Sequence, residues 1–118
     1  VLCYPYARFE EDGSITYAKA AWKPAADAKE WPRARLWVGT AVENVTQATA
    51  NDILREALRR LDTMGIPVIA HCHDEIVAEG ADAEDIAAVL QSVMTTPPEW
   101  AKDLPLAVAG GISKRFGK

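Results

Sequence analysis

Little in this sequence would cross-link the chain or hold it in a membrane. The two cysteines, Cys3 and Cys72, are too few and too far apart for a disulfide framework or a paired-thiol zinc site. We therefore expect both to be small buried side chains. No apolar run approaches the roughly 20 residues that span a bilayer, and no basic segment followed by an apolar one opens the chain. No membrane partner is expected, and the predicted location is the cytoplasm.

The sequence also lacks an excess of positive charge. Its 118 residues carry a formal net charge of −4, which argues against a protein that binds polyanions over its whole surface. The charges are segregated, however, since residues 19–37 are basic and rich in tryptophan whereas acids collect between 74 and 103. The stretch 19–37 is either a surface that stacks on single-stranded nucleic acid or an ordinary solvated loop anchored by its tryptophans.

Length and periodicity predict one α+β domain. A chain of 118 residues supports one modest core, and its start at Val1 rather than at methionine indicates a piece of a longer protein. We expect an antiparallel sheet with helices packed on one face. The predicted elements are a β-hairpin over 1–20, a loop over 21–39, a long helix over 40–64, a hairpin over 66–79, a helix over 82–96 and a strand over 104–109.

The long helix carries the first candidate binding residues. Thr40 has the position of a helix cap, and Gly65 ends the helical pattern. Along the polar side, Asn44, Gln47 and Asn51 are spaced so that they share one helix face. Amides in a line can read base edges or sugar oxygens by hydrogen bonding, although amides also occur on helix surfaces without such a role.

The hairpin over 66–79 carries the second candidate site, the tripeptide of His73, Asp74 and Glu75 between two apolar runs. A turn at the tripeptide is expected to lift the Asp74 carboxylate out of the sheet, with apolar strand residues such as Ile69 packed beneath it. Magnesium needs a fixed oxygen ligand of this kind, with room for water and substrate oxygens. The alternative is a solvated turn, because Asp is a common turn residue.

A second metal hypothesis involves His71, Cys72 and His73. The two histidines stand two positions apart in the predicted strand and would share one face, as a pair of transition-metal ligands can. No third ligand follows at a suitable spacing, and strand histidines are more often satisfied by hydrogen bonds in a core. The magnesium hypothesis at Asp74 is therefore preferred.

Two longer stretches carry a resemblance to a known family. They are Glu43-Asn-Val-Thr-Gln47-Ala-Thr-Ala-Asn-Asp52-Ile-Leu in the helix and Pro67-Val-Ile-Ala-His-Cys-His73-Asp74-Glu75-Ile-Val in the hairpin. Together they resemble the C-terminal part of the palm of family A DNA polymerases, the bacterial polymerase I type. Phage and prophage members also show a Tyr-Pro-Tyr near the first hairpin, as at 4–6, and a Leu-Pro near the end, as at 104–105. The resemblance covers essentially all of residues 1–118.

The resemblance implies a role for each matched residue. Asp74 corresponds to the palm aspartate that, with a second aspartate from an earlier motif, holds two Mg²⁺ ions. His73 and Glu75 correspond to the neighbours that support the site and the primer terminus, so all three are candidate catalytic residues. Gln47 corresponds to the glutamine that touches the minor groove near the new base pair. The remaining DNA-binding candidates on that helix face are Asn44 and Asn51.

Three departures from the family pattern limit what the chain is expected to do. It has no Asp-Tyr-Ser-type strand for the second aspartate and no Arg-x-x-x-Lys-type helix for the triphosphate. In addition, Glu43 stands where many relatives have an asparagine that faces DNA. The chain alone is therefore expected to be inactive.

For a complete protein that contains this chain, the resemblance implies a DNA-directed DNA polymerase. It would perform template-dependent nucleotidyl transfer by a two-metal mechanism in DNA replication or repair. Its partners would be primer–template DNA, deoxynucleoside triphosphates and the polymerase segments that this chain lacks, in the cytoplasm of a bacterial or phage-infected cell. The alternative is a non-catalytic palm-like module that binds nucleic acid, or a prophage remnant.

Overall fold

The computed structural model describes residues 2–19 and 31–115. The chain separates into two compact units, residues 1–48 and 49–118, and each unit is described by itself. Helices and antiparallel strands are both present, which confirms the expected α+β class, and the strands are divided between two small sheets. In chain order the elements are β1 (Arg8–Phe9), β2 (Ile15–Ala18), β3 (Arg33–Arg35), α1 (Val38–Thr63), β4 (Val68–Cys72), β5 (Glu75–Ala78), α2 (Ala83–Thr95) and a 3-10 turn at Glu99–Ala101.

The first unit contains a three-stranded antiparallel sheet in the order β1-β2-β3. Gly13, at φ +77°, lies in the turn between β1 and β2. The Asp12 carboxylate in this turn accepts a hydrogen bond from the Ser14 backbone N–H at 2.9 Å. An Asp-Gly pair is a favoured hairpin connection because glycine adopts a positive φ without steric cost. On its other edge β2 pairs with β3, with Tyr17 opposite Ala34.

Strand β3 corrects the prediction of a continuous loop over 21–39, of which residues 20–30 lie outside the described part. The guanidinium of Arg33 donates to the backbone carbonyls of Tyr6 at 3.1 Å and Thr16 at 2.9 Å. These bonds hold the short strand against β2. A strand of three residues is too short to show an alternating pattern, so periodicity could not reveal it.

Helix α1 begins two residues before its predicted start, at Val38. The Ala41 N–H donates to the carbonyl of Trp37 at 2.9 Å, so Thr40 already lies inside the first turn. The prediction that Thr40 caps the helix is therefore wrong. A capping pattern reports residue types, whereas the start of a helix depends on which carbonyl accepts the first bond.

The end of α1 is closed by Gly65, which has a φ of +72°. The Gly65 N–H donates to the carbonyl of Asp62 and the Ile66 N–H donates to that of Leu61, both at 3.0 Å. These two bonds form the Schellman arrangement, in which a left-handed residue after the helix satisfies its last carbonyls. Ile66 then packs against the core cluster that contains Leu61, so the chain leaves the helix in a fixed direction.

The core of the second unit joins α1, the hairpin of β4 and β5, and α2. Leu61 is fully buried, and Ala57 and Val93 are buried beside it. The half-buried side chains packed on these three are Ile66, Val68, Ile76, Val89, Leu90 and Met94. Because the three elements share few buried side chains, each one contributes a large part of the packing that holds the unit together.

A charged network ties α1 to the end of α2. Arg60 donates to the Glu56 carboxylate at 3.1 Å and to the carbonyl of Thr96 at 2.8 Å. Arg59 binds the same carboxylate through two N–H groups, at 2.8 and 3.0 Å. The hydrogen bond from Arg59, supported by the one from Arg60, lowers the pKa of Glu56 from its ordinary 4.5 to about 2.

Helix α2 begins at Ala83, directly after Asp82. The Asp82 side chain makes no capping hydrogen bond, and its backbone carbonyl accepts a hydrogen bond from the Ile86 N–H at 3.0 Å. The backbone of Asp82, at φ −93° and ψ 62°, lies outside the extended conformation from which an N-cap side chain reaches the first turn. The carboxylate of Asp82 therefore does not act as a cap, although the residue directly precedes the helix.

Residues 104–109 do not form the predicted strand. Leu106 and Val108 are half-buried and the alanine after each is exposed, so the alternation typical of a strand is present. Within the part of the chain that the structure describes, no neighbouring strand pairs with this segment, and Pro105 has no N–H to donate. The alternating burial therefore arises because one side of this segment packs against the protein and the other faces solvent, and it does not require pairing with another strand.

The two cysteines are not buried, contrary to prediction. Cys3 and Cys72 are both free and exposed, because Cys3 lies in irregular chain before the first sheet and Cys72 lies at the exposed end of β4. Among the residues described, no helix is both long enough and apolar enough to cross a bilayer.

We expect Gly65→Ala to lower the free energy of unfolding by about 1 kcal/mol, because the left-handed conformation disfavours an L-residue by that amount. A Cβ at Gly65 would meet no atom within 4 Å, so the fall in the free energy of unfolding would come from the backbone conformation alone. Gly39→Ala, inside α1 and equally free of Cβ contacts, should raise stability by about 0.5 kcal/mol. Urea unfolding followed by circular dichroism measures both changes. A Gly65→Ala variant as stable as the unsubstituted chain would contradict the closing role of Gly65.

The Glu56 network makes stability depend on pH in the acid range. Because the folded pKa of about 2 lies below the ordinary 4.5, the ionised carboxylate stabilises the fold above about pH 4.5, and this contribution is lost as the pH falls toward 2. We expect Glu56→Gln to be less stable than the unsubstituted chain at neutral pH, with the difference closing across that window. Urea unfolding at each pH measures it.

The matched control is Glu79→Gln, which removes an exposed carboxylate that has no ion pair among the described residues. Between about pH 6 and pH 2 a carboxylate with these two pKa values changes its proton occupancy. If the stability difference between Glu56→Gln and the unsubstituted chain stayed constant over that range, the Arg59 and Arg60 contacts would be ruled out as its origin.

Candidate functional site

The turn of His73 and Asp74 lies at the tip of the second sheet. Strands β4 and β5 pair antiparallel, and Cys72 opposite Glu75 is the last pair, which leaves a loop of two residues. Glu75 is thus the first residue of β5, whereas the sequence placed three residues at the tip. A ladder that closes directly below a two-residue loop holds the backbone of Asp74 in a defined position.

The backbone of this loop is strained at His73. Its φ of +54° lies in the left-handed region, and Asp74 has no positive φ. Two-residue loops that need a positive φ only at the first position favour glycine there, and a non-glycine residue costs on the order of 1–3 kcal/mol. Because His73 belongs to the loop, it does not share a strand face with His71, and that prediction is wrong.

A β-bulge interrupts the hairpin at Ile69. Val68 pairs with Ala78 and Ala70 pairs with Val77, so Ile69 is an extra residue on β4. Its side chain is 57% exposed and does not join the apolar platform predicted beneath the turn, although Val68 packs against the core. The inserted residue changes which side of the strand each later residue occupies, which alternation alone could not show.

Asp74 is exposed on this fixed loop. An accessible carboxylate on a rigid backbone fits the oxygen ligation of Mg²⁺. Within the described ranges, however, no three His, Cys, Asp or Glu side chains lie close enough together to hold a metal ion. The described residues therefore supply at most part of a metal site, and the transition-metal hypothesis for His71, Cys72 and His73 does not hold among them.

The candidate amides of α1 differ in their surroundings. Asn44 is half-buried, and its Nδ2 donates to the Tyr4 hydroxyl at 2.9 Å. The Tyr4 ring meets the Tyr17 ring edge to face, with the centroids 5.2 Å apart. Gln47 is exposed, and its Nε2 lies 3.4 Å from a carboxylate oxygen of Glu43. Asn44 therefore helps to hold the first unit together. Among the described residues, the Gln47 side chain makes only the long hydrogen bond to Glu43 and is otherwise exposed.

Asn51 is exposed in the second unit, where it lines an open depression of about 490 Å³. The other lining residues are Arg55 and Leu58 of α1 and His71 of β4. Arg55 stands one helical turn after Asn51 and so shares its face, but nothing in the residue pattern distinguishes it from the other exposed charges of the helix. From the sequence, His71 is a candidate only as a metal ligand. The depression brings a guanidinium, an amide and an imidazole together.

The first unit presents exposed tryptophans next to paired charges. The Arg35 guanidinium lies 4.8 Å above the Trp37 ring centroid and 3.9 Å from the Asp12 carboxylate. Arg33 forms a similar pair with an acid at the start of the β1–β2 turn. Trp31 and Trp37 are 59% and 63% exposed. This surface therefore offers aromatic faces, but acidic neighbours compensate much of its positive charge.

Comparison with known proteins relates the chain to a phage protein named DNA polymerase. No family model matches the chain, and no solved structure matches it. The chain is 31% identical over 117 residues to a protein named DNA polymerase from Bacillus phage SP02. The aligned region makes up 99% of this chain but only 18% of the phage protein. The chain is therefore similar over its whole length to one segment of a DNA polymerase.

We expect His73→Gly to raise the free energy of unfolding by about 1 kcal/mol, because glycine removes the strain of a positive φ at the loop. Asp74→Gly is the matched control: Asp74 has no positive φ, so glycine relieves nothing there and adds backbone entropy to the unfolded chain. Thermal and urea unfolding measure both variants. Equal stability changes in the two variants would show that the loop is not strained at His73.

Proposed function

We propose that this chain is a segment of a longer DNA-directed DNA polymerase, from the C-terminal part of the palm of a family A enzyme. The observation that carries the proposal is the similarity along 99% of the chain to the phage DNA polymerase. The His73-Asp74 loop supports it, since an exposed carboxylate on a two-residue turn is suited to a metal-dependent phosphoryl-transfer site.

In this proposal Asp74 is one ligand of the Mg²⁺ ions, and a carboxylate from another segment completes the site. The bound ions would lower the pKa of the primer 3′-hydroxyl and offset the charge that develops on the leaving pyrophosphate. His73, held in the loop beside Asp74, orients the primer terminus. Glu75, paired with Cys72 at the top of the ladder, supports the loop from β5.

An apolar stripe on α1 supports the idea that further polymerase segments cover this chain. Trp37 directly precedes the helix and is 63% exposed. Three valines that follow it at helical spacing are also more than half exposed. Val38, Val42 and Val45 are 80%, 59% and 56% exposed. They lie along one side of the helix. Contiguous apolar surface of this kind marks contact with another polypeptide segment.

The DNA contacts of the proposal rest on Gln47 and Asn51, which are exposed on α1. Gln47 would donate to minor-groove acceptors of the primer–template duplex, exchanging its long contact with Glu43 for a DNA contact. Asn44 differs because its Nδ2 already donates one hydrogen bond to the Tyr4 hydroxyl, so one N–H group and the carbonyl oxygen are left for a contact with DNA.

A second candidate function is a non-catalytic module that binds single-stranded nucleic acid. The exposed rings of Trp31 and Trp37, one of them under the Arg35 guanidinium, favour it because bases stack on such surfaces. It implies DNA binding that survives Asp74→Ala and is lost with Trp31→Ala. The compensated charge of this surface and the similarity to a polymerase make the first proposal the better supported.

The proposal predicts that the longer reading frame containing this chain encodes an aspartate-bearing strand and a lysine-bearing helix upstream of Val1. In the protein from that frame, Asp74→Asn should lower metal-dependent primer extension by about a thousandfold, or about 4 kcal/mol, because a metal ligand is lost. Asp82→Asn, at an exposed carboxylate without a capping bond, is the matched control and should retain activity.

The isolated chain should incorporate no nucleotide in the same assay. Incorporation by the 118 residues alone would contradict the proposal that the metal site is shared with another segment. An upstream frame without the aspartate and the lysine would point to a remnant instead.

A further inference from the structure

The depression beside α1 contains Arg55, an arginine that has no acidic partner among the residues that the structure describes. Among the described residues, Arg59 and Arg60 both bind Glu56, whereas Arg55 forms no ion pair. Its side chain is exposed and lines the depression. The guanidinium thus keeps its hydrogen-bond donors and its charge available to a ligand.

The groups around Arg55 are donors and neutral polar atoms. Asn51 supplies an amide from the preceding helical turn, and His71 faces the depression from β4. Leu58 adds one half-buried apolar surface, and none of the described residues that line the depression carries a carboxylate. Guanidinium, amide and imidazole N–H groups around one space make up the donor set that binds phosphate oxygens.

The shape of the depression favours one phosphate of a long ligand. All three polar lining residues are exposed, so a bound molecule would remain largely in contact with solvent. Sites for free small molecules usually bury most of the ligand surface, which this depression cannot do. A strand of nucleic acid, in contrast, needs only one open contact for each phosphate.

The depression lies close to the His73-Asp74 turn of the same hairpin. His71 precedes the His73-Asp74 loop by two residues along β4, a distance of roughly 7 Å for an extended strand. A DNA strand that ends at Asp74 and continues along β4 would meet His71 first and then Arg55 across the depression.

We infer that Arg55, with Asn51 and His71, binds a backbone phosphate of the DNA strand whose 3′ end lies at the His73-Asp74 turn. The inference rests on the proposed function and adds two residues to it. Arg55 supplies the charge, Asn51 and His71 orient the phosphate oxygens, and the contact carries no sequence information.

Fluorescence anisotropy of a labelled primer–template duplex with a recessed 3′ end tests this on the 118-residue chain. Arg55→Gln should raise the dissociation constant about tenfold, the effect of losing one charged hydrogen bond. It should also reduce the slope of log affinity against log salt concentration by about 0.9, the value for one phosphate contact. His71→Gln should weaken binding less, without the same change in slope.

Arg59→Gln is the matched control, because it removes the same charge from the same helix at an exposed residue outside the depression. Equal effects of Arg55→Gln and Arg59→Gln would overturn the inference and leave the proposed function standing. A deoxynucleoside triphosphate is the second probe, and an Arg55→Gln effect on its binding alone would overturn the assignment to the DNA backbone. If the unsubstituted chain binds no duplex at the lowest salt, the inference fails together with the proposed DNA contacts.

Discussion

The burial of Leu61 is the interaction on which the second unit depends. This side chain is fully covered by residues from α1, from the hairpin and from α2, and the Gly65 turn directly after it determines how the chain enters the hairpin. Ile66 packs on the same core and starts the path into β4. The position of the His73-Asp74 loop therefore follows from a helix end many residues earlier. Without that packing, an isolated hairpin of this length would be marginal in water.

The charged residues of α1 divide into two groups with different uses. Glu56 binds Arg59 and Arg60, and Arg60 also donates to the carbonyl of Thr96, the residue directly after α2. This network connects α1 to the residue that ends α2. Arg55 lies one position before Glu56 but points to a different side of the helix, where it has no acidic neighbour within ion-pair distance among the described residues. Helical geometry thus separates a structural arginine from one that is available to a ligand.

Sequence patterns predicted the parts of the fold that depend on local periodicity, and they missed the parts that depend on distant pairing. The α+β class and the stop of α1 at Gly65 follow from spacing and from the conformational freedom of glycine. Strand β3 could not be predicted, because its three residues are fixed by pairing with β2 and by the bonds of Arg33. Residues 104–109 show the converse, since they alternate like a strand but have no described partner. For the candidate site, sequence identified Asp74 but not Arg55, because only the packing of α1 beside β4 places Arg55 near His71.

The division of the proposed metal site between segments has a physical reason in the hairpin itself. Asp74 lies in the loop and Glu75 begins β5, so the two carboxylates occupy backbone positions of different geometry although they are adjacent in sequence. Successive residues that enter a strand point to opposite faces, so the two cannot both turn toward a shared pair of cations. A second ligand from another element is not subject to this alternation, and such a site forms only when the two segments are assembled.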